Sequence, residues 1–293
     1  MTRDIQFTIQ LGTAFDEGQQ LIWSLVKEPW IEDENIYVHR PRFYRNQLSK
    51  LAAQPGGGAA GPDDLQKMFH LDQADPEQDL HFVLNVTEPM QPEPHFYANG
   101  TWFEGLGDRA ARLRAVLAPA PVAFMLCLRN PAMLLSDALA STEYSGFEAD
   151  LPNPFTLSWA NVLRDLRTHV PDVPITVWCA EESPLIWGRV LSAVGAPPEK
   201  LTLEAHIHLA KSLMNAEGSK RLTKYLHQRP ELPDELRARV ISIFIEKFTP
   251  PEKLEADVTI PDWSEDKQLR MDASYAADLE EVATIDGVTF ITL

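Results

Sequence analysis

The sequence predicts an α/β fold with a mainly parallel central sheet, helices on both faces and a helical C-terminal region. Short apolar runs rich in branched and aromatic residues alternate with longer amphipathic segments, which is the pattern of βαβ units. The runs carry few polar residues, as strands covered on both faces require. From about residue 201 only helical patterns follow, and no long linker interrupts the 293 residues. We therefore expect a single domain over 1–293, with a helical extension from about residue 201.

Six segments are predicted to be strands, because each is short, apolar and bounded by turn-forming residues. Four of them are the most apolar, a shorter one follows the first helix, and another closes the chain. In chain order the predicted strands are Ile5–Leu11, 35–39, 81–86, Val122–Leu128, Ile175–Cys179 and 287–293.

Helices are predicted between these strands where apolar residues recur with a helical period. In chain order they cover 18–27, 42–52, 107–117, 132–140, 155–169 and 184–194. In the C-terminal region the clearest helical pattern is "ELPDELRARVISIFIEKF". The glycine-rich stretch at 54–64 and the proline-rich stretch at 88–95 are predicted to be irregular surface connections.

Composition limits the classes of function. The formal net charge of −17 argues against a general nucleic-acid binder, which needs a basic face to neutralise phosphates. The two cysteines, Cys127 and Cys179, lie in apolar runs and are expected to be buried free thiols rather than a disulfide framework. The N-terminus has no signal-peptide pattern, and no apolar stretch approaches the length of a membrane span. These features favour a cytoplasmic protein with no membrane span.

The first predicted strand ends in "LGTAFDEGQQL", which has the layout of a phosphate-binding loop. Gly12 and Thr13 follow the strand, and Gly18 precedes a helix whose first backbone N–H groups could bind an anion. No lysine or arginine occurs between Gly12 and Val26, and the loop carries Asp16 and Glu17. A like-charge contact at ~4 Å costs about 4 kcal/mol at an effective dielectric near 20. The segment therefore has the shape of a phosphate loop without its charge.

A second candidate site lies in "FMLCLRNPAMLLSDAL". Arg129 ends a strand, Pro131 stands where the first helical turn begins, and Ser136 follows within the helix. An arginine beside a helix N-terminus can bind phosphate through its fork of donors. The alternative is an arginine that pairs with a neighbouring carboxylate at the edge of the sheet.

Two further groups of residues are weaker candidates. A basic cluster could hold an anionic ligand, but salt bridges with surface acids explain it equally well; it comprises His39, Arg40, Arg42, Arg45 and Lys50. His206 and His208 have no third ligand nearby in the sequence, so a metal site is not expected.

In combination, these segments resemble bacterial members of the P-loop sulfotransferase family. The specific stretches are Arg-Asn-Pro at 129–131 and "SWANVLRDLRTHVPDVPITVWCAEESPLIW". The resemblance implies that Arg129 and Ser136 hold the adenosine 3′-phosphate of the sulfate donor, 3′-phosphoadenosine 5′-phosphosulfate. It also implies that Glu88, after the third strand, acts as general base on an acceptor hydroxyl; the alternative is a plain loop carboxylate.

The chain departs from the family pattern in its first loop. Family members carry a lysine and two threonines there, whereas this loop has no lysine, one extra residue, and Gln19 and Gln20 after Gly18. Ser136 also falls one residue short of the commonest family spacing.

These departures favour a degenerate donor site and a role as a binding or scaffold module. The alternative is an active sulfotransferase that moves a sulfuryl group to a hydroxyl or amine of a small-molecule or protein acceptor. In that case a basic residue such as Arg40, Arg42 or Lys220 would replace the missing lysine.

Overall fold

A computed structural model defines the fold for most of the chain. It describes residues 4–12, 17–31, 33–38, 43–52, 60–71, 77–86, 97–98, 101–141, 151–254 and 258–293.

The centre of the protein is a six-stranded sheet in which every pairing is parallel. Six strands form this sheet, and two more form a separate pair. In chain order the eight strands are β1 (Ile5–Leu11), β2 (Ile36–Val38), β3 (Leu80–Asn85), β4 (Tyr97–Ala98), β5 (Thr101–Trp102), β6 (Val122–Leu128), β7 (Ile175–Cys179) and β8 (Val288–Ile291). The sheet order is β2-β3-β1-β6-β7-β8, and β4 and β5 form a separate antiparallel pair. The predicted parallel α/β architecture is confirmed, and β1, β6 and β7 match their predicted bounds to the residue.

Helices separate the strands and dominate the C-terminal region. They are α1 (Gly18–Val26), α2 (Arg45–Ala52), α3 (Pro62–Phe69), α4 (Leu106–Leu117), α5 (Pro131–Ala140), α6 (Trp159–His169), α7 (Ser183–Ala193), α8 (Leu203–Leu213), α9 (Ala216–His227), α10 (Asp234–Phe248), α11 (Pro251–Leu254) and α12 (Glu265–Val282). The predicted change to helices near residue 201 is confirmed, and the strand predicted at 287–293 is observed as β8.

The sheet is covered on both faces, because successive side chains of a strand point to opposite sides. Phe124 and Leu126 of β6 pack in the cluster that includes α4, α5 and α6. Their neighbours Met125 and Cys127 pack with Trp178 of β7 and with α1, α7 and α8 on the other face. Burying one such large apolar side chain contributes about 1.5–3 kcal/mol. The two clusters therefore hold the strand ends in fixed positions.

The strand order places a topological switch between β1 and β6. The chain leaves β1 toward β2 on one side of the sheet and leaves β6 toward β7 on the other. In open parallel sheets, ligands bind outside the carboxyl ends of the strands at such a point. Gly12 follows β1 there and Arg129 follows β6, so both sequence-predicted phosphate sites lie at the switch.

Three local predictions differ from the structure. Helix α3 begins within the predicted loop 54–64; a proline in its first turn and two acids, Asp63 and Asp64, favour a helix start there. The predicted helix 155–169 is divided into a 3-10 turn, Pro154–Thr156, and α6, because Ser158 caps α6 through a bond from Asn161 N. The β4–β5 pair was not predicted, and stretch 88–95 lies outside the described residues.

Helix α12 is fastened to the start of α6 by one carboxylate. Asp278 accepts hydrogen bonds from Ser158 Oγ at 2.7 Å, Trp159 N at 2.6 Å and Ala160 N at 3.3 Å. The first backbone N–H groups of a helix have no partner within the helix. Asp278 lies more than a hundred positions further along the chain and accepts hydrogen bonds from two of these N–H groups.

We expect Asp278→Ala to lower the free energy of unfolding by about 1–3 kcal/mol, because it removes the acceptor of two backbone donors at a helix start. Urea denaturation followed by circular dichroism measures the change. Glu280→Ala is the matched control, since Glu280 is an exposed acid on the same helix, and its effect should stay within about 0.5 kcal/mol. Equal effects of the two substitutions would contradict this role of Asp278.

Candidate functional site

The candidate site begins where β1 ends and α1 starts. Gly12 is buried with a φ of +141°, which favours glycine. Gly18 has no room for a side chain, since a Cβ there would lie 2.3 Å from Gln10 Oε1 and 2.8 Å from Asn85 Nδ2. Helix α1 therefore starts directly against β1 and β3. Thr13 lies outside the described residues.

Glu17 turns toward the sheet. Its Oε2 atom accepts a hydrogen bond from Trp178 Nε1 at 3.2 Å and lies 3.9 Å from Cys127 Sγ. Both partners belong to strands on the β6 side of the switch. One acid of the candidate phosphate loop thus occupies the carboxyl end of the sheet, next to the start of α1, where a phosphate would need donors.

Arg129 makes an ion pair within the chain. Its Nη2 atom lies 2.5 Å from Asp137 Oδ2 on α5, and its backbone carbonyl accepts from Trp159 Nε1 at 2.8 Å. Burial raises the pKa of Asp137, while the Arg129 guanidinium acts in the opposite direction. The sequence is compatible with either a phosphate-binding arginine or an arginine paired with a carboxylate. The structure shows the ion pair, and its carboxylate belongs to the helix that follows the strand.

Asn130 joins three elements at the start of α5, and sequence reasoning did not single it out. Its Oδ1 atom accepts from Ala132 N at 3.0 Å and caps α5. Its N–H donates to Glu181 Oε1 at 2.8 Å, and its Nδ2 donates to Asp272 Oδ1 at 3.0 Å. The Asn-Pro dipeptide after a strand is a signal for the cap. Nothing local indicates the two acids.

Ser136 is buried and bonded to the C-terminal segment. Its hydroxyl lies 2.8 Å from Thr259 Oγ1 and accepts from Thr259 N at 2.8 Å. This serine therefore connects α5 to the residues that precede α12.

Two groups that stay neutral near pH 7 meet at the carboxyl end of β7: the thiol of Cys179 and the hydroxyl of Tyr275. Tyr275 of α12 donates to Glu181 Oε2 at 3.2 Å, and its hydroxyl lies 3.6 Å from Cys179 Sγ. Burial raises the pKa of the Cys179 thiol to about 12. Burial and the nearby Glu181 carboxylate hold the pKa of Tyr275 well above its usual value. The thiol is consequently a poor nucleophile.

A separate cavity of about 340 Å³ lies between the starts of α4 and α6. Trp102 and Phe103 form part of its wall, and Thr156, Asn161 and Asp165 supply polar atoms. Its volume is within the range of small-molecule pockets, roughly 300–1,000 Å³. The sequence contained no motif that predicted it.

Of the remaining candidates, His208 reaches the first turn of α1, where its Nε2 atom lies 3.0 Å from Gln20 Oε1. Glu88, Arg40 and Arg42 lie outside the described residues. Lys220 is exposed on α9, and His206 and His208 lie on α8. Within the part of the chain that the structure describes, no group of three or more His, Cys, Asp or Glu side chains is placed to hold a metal ion.

Compared with known proteins, the chain matches no family model, no curated protein and no solved structure. No helix among the described residues is long and apolar enough to cross a membrane.

We expect both thiols to resist labelling by an aromatic disulfide reagent at pH 8 in the native protein, because Cys127 and Cys179 are 3% and 4% exposed. Both should react in about 6 M guanidinium chloride, because the protein is unfolded at that concentration. Tyr275→Ala should expose Cys179 alone, since the two thiols face opposite sides of the sheet. Peptide mass mapping identifies the labelled residue, and labelling of Cys127 first would contradict the assignment.

Proposed function

We propose that this chain is a sulfotransferase-like binding module that does not use 3′-phosphoadenosine 5′-phosphosulfate as a donor. The observation that carries the proposal is the position of Glu17, whose carboxylate is bonded to Trp178 at the end of the sheet. A donor nucleotide would place its 5′-phosphate side at this loop, next to that negative charge.

The magnitudes favour exclusion of an anion. A like-charge contact at ~4 Å costs about 4 kcal/mol at an effective dielectric near 20, or on the order of a thousandfold in affinity. The start of a helix stabilises an anion by about 0.3–1 kcal/mol, and by about 2 kcal/mol in a partly buried site. The helix N-terminus therefore offsets only part of the repulsion.

The residues that the resemblance assigns to the 3′-phosphate already have partners in the chain. A nucleotide would have to compete with Asp137 for Arg129 and with Thr259 for Ser136. Breaking each of these contacts costs free energy and so weakens binding of the nucleotide. The same contacts support a structural role for both residues.

A binding role has a second support in the cavity between α4 and α6, which has the volume of a small-molecule site. It is lined by Trp102, Asn161 and Asp165, and neither Glu17 nor Arg129 belongs to its wall. A ligand there would not meet the carboxylate at the switch.

An active sulfotransferase is the second candidate function, and the position of Arg129 favours it. The arginine follows β6 at the switch, where the resemblance places the donor. For this candidate to hold, the Arg129–Asp137 ion pair must open when the donor binds.

Titration calorimetry with adenosine 3′,5′-bisphosphate distinguishes the two candidates. We expect the native protein to bind with a dissociation constant weaker than ~100 μM. Glu17→Gln keeps a hydrogen-bond acceptor for Trp178 but removes the charge, and should tighten binding at least tenfold, about 1.4 kcal/mol. Arg129→Ala should weaken whatever binding remains.

Glu280→Gln is the control, because it removes one exposed negative charge on α12 and should leave the affinity unchanged. Micromolar binding by the native protein would favour the enzyme. Sulfate transfer to any of a panel of hydroxyl and amine acceptors, above a heat-killed sample, would establish it and overturn the proposal.

A further inference from the structure

Helix α10 presents two large apolar side chains to solvent. Of its fifteen residues, Ala238 and Ile241 are the buried ones. On the opposite side, Leu236 is 49% exposed and Ile243 is 53% exposed. Successive residues of a helix are rotated by about 100°, so positions 236, 239, 243 and 246 follow one line along it. We call Leu236, Arg239, Ile243 and Glu246 the α10 stripe.

The two charges of the stripe flank Ile243 and have opposite signs. Arg239 and Glu246 are both exposed, and neither forms an ion pair with any residue that the structure describes. Arg237, two positions from Arg239, differs: its Nη1 atom lies 2.8 Å from Asp234 Oδ1. The stripe therefore combines an exposed apolar centre with one cation before it and one anion after it.

We propose that the α10 stripe binds a second copy of this chain, with the two α10 helices antiparallel about a twofold axis. An axis that crosses the helix between Ser242 and Ile243 has Arg239 about 5 Å before it and Glu246 about 5 Å after it, at 1.5 Å per residue. The twofold operation exchanges these positions, so each Arg239 faces the partner's Glu246. The two Ile243 side chains meet beside the axis.

Charge complementarity supports a copy of the chain as the occupant. A twofold contact uses the same surface on both molecules, so that surface must be complementary to itself, and the α10 stripe satisfies this condition. The ion pairs fix orientation more than affinity, because exposed pairs contribute little. Ile243 supplies the apolar contact.

The dimer is expected to be weak. The stripe consists of four side chains along about 15 Å of helix. A stable interface buries roughly 800 Å², or about 20–30 residues, on each partner. The net charge of −17 on each copy also makes the two copies repel each other, and salt screens this repulsion. We expect a dissociation constant on the order of 10–100 μM at 0.15 M salt. The inference does not rest on the proposed function, since it uses no residue of the switch.

Sedimentation equilibrium between ~1 and ~500 μM protein measures the association. The native chain should approach the dimer mass at the upper concentrations, and Ile243→Asp should stay monomeric throughout. Leu269→Asp is the matched control, because Leu269 is 64% exposed on α12, away from the stripe, and it should associate like the native chain. A native chain that remains monomeric at ~500 μM would overturn the proposal.

Charge exchange tests the antiparallel arrangement. Arg239→Glu and Glu246→Arg should each weaken self-association severalfold, because each places like charges opposite one another at both symmetry-related contacts. An equal mixture of the two single variants should dimerise again, since both contacts then join opposite charges. The double variant should also dimerise. If mixing the variants restores nothing, the contact is not the twofold pairing of Arg239 with the partner's Glu246, and the proposal fails.

Discussion

The pairing of β1 with β3 on one side and β6 on the other is the constraint on which the rest of the structure depends. Phe7, Ile9 and Leu11 fill one face of this central strand and are all almost fully buried. Because both neighbours run parallel to β1, the three strands end at the same edge of the sheet. Gly12, at the end of β1, and the start of α5 after β6 therefore lie at the same edge.

At that edge, carboxylates of the chain lie beside the helix starts. Glu181 and Asp272 meet at Asn130 before α5, and Asp278 holds the first turn of α6. Glu17 approaches the sheet beside α1. Helix N-termini attract negative charge, and in many proteins that charge belongs to a ligand. At the start of α6 in this chain, Asp278 supplies it from a distant position in the sequence.

The sequence predicts the sheet well, because apolar runs bounded by turn residues report burial on both faces. Strands β1, β6 and β7 were predicted to the residue for this reason. Helix α3 was missed because glycines and prolines dominate the stretch before it, and its first-turn acids carry a weaker signal. The resemblance indicated where Arg129 stands, but not that Asp137 pairs with it. The contact of Asn130 with Asp272 spans 142 residues, and no local pattern reports such a contact.

The fastening of α12 to the sheet has a consequence for cooperativity. The C-terminal segment supplies the edge strand β8, the partner of Ser136, and acceptors at the starts of α5 and α6. Partial unfolding that released this segment would leave backbone donors unsatisfied next to the switch. These contacts couple the last 36 described residues, 258–293, to the carboxyl end of the sheet. That edge can therefore close only after ribosomal synthesis has supplied this segment.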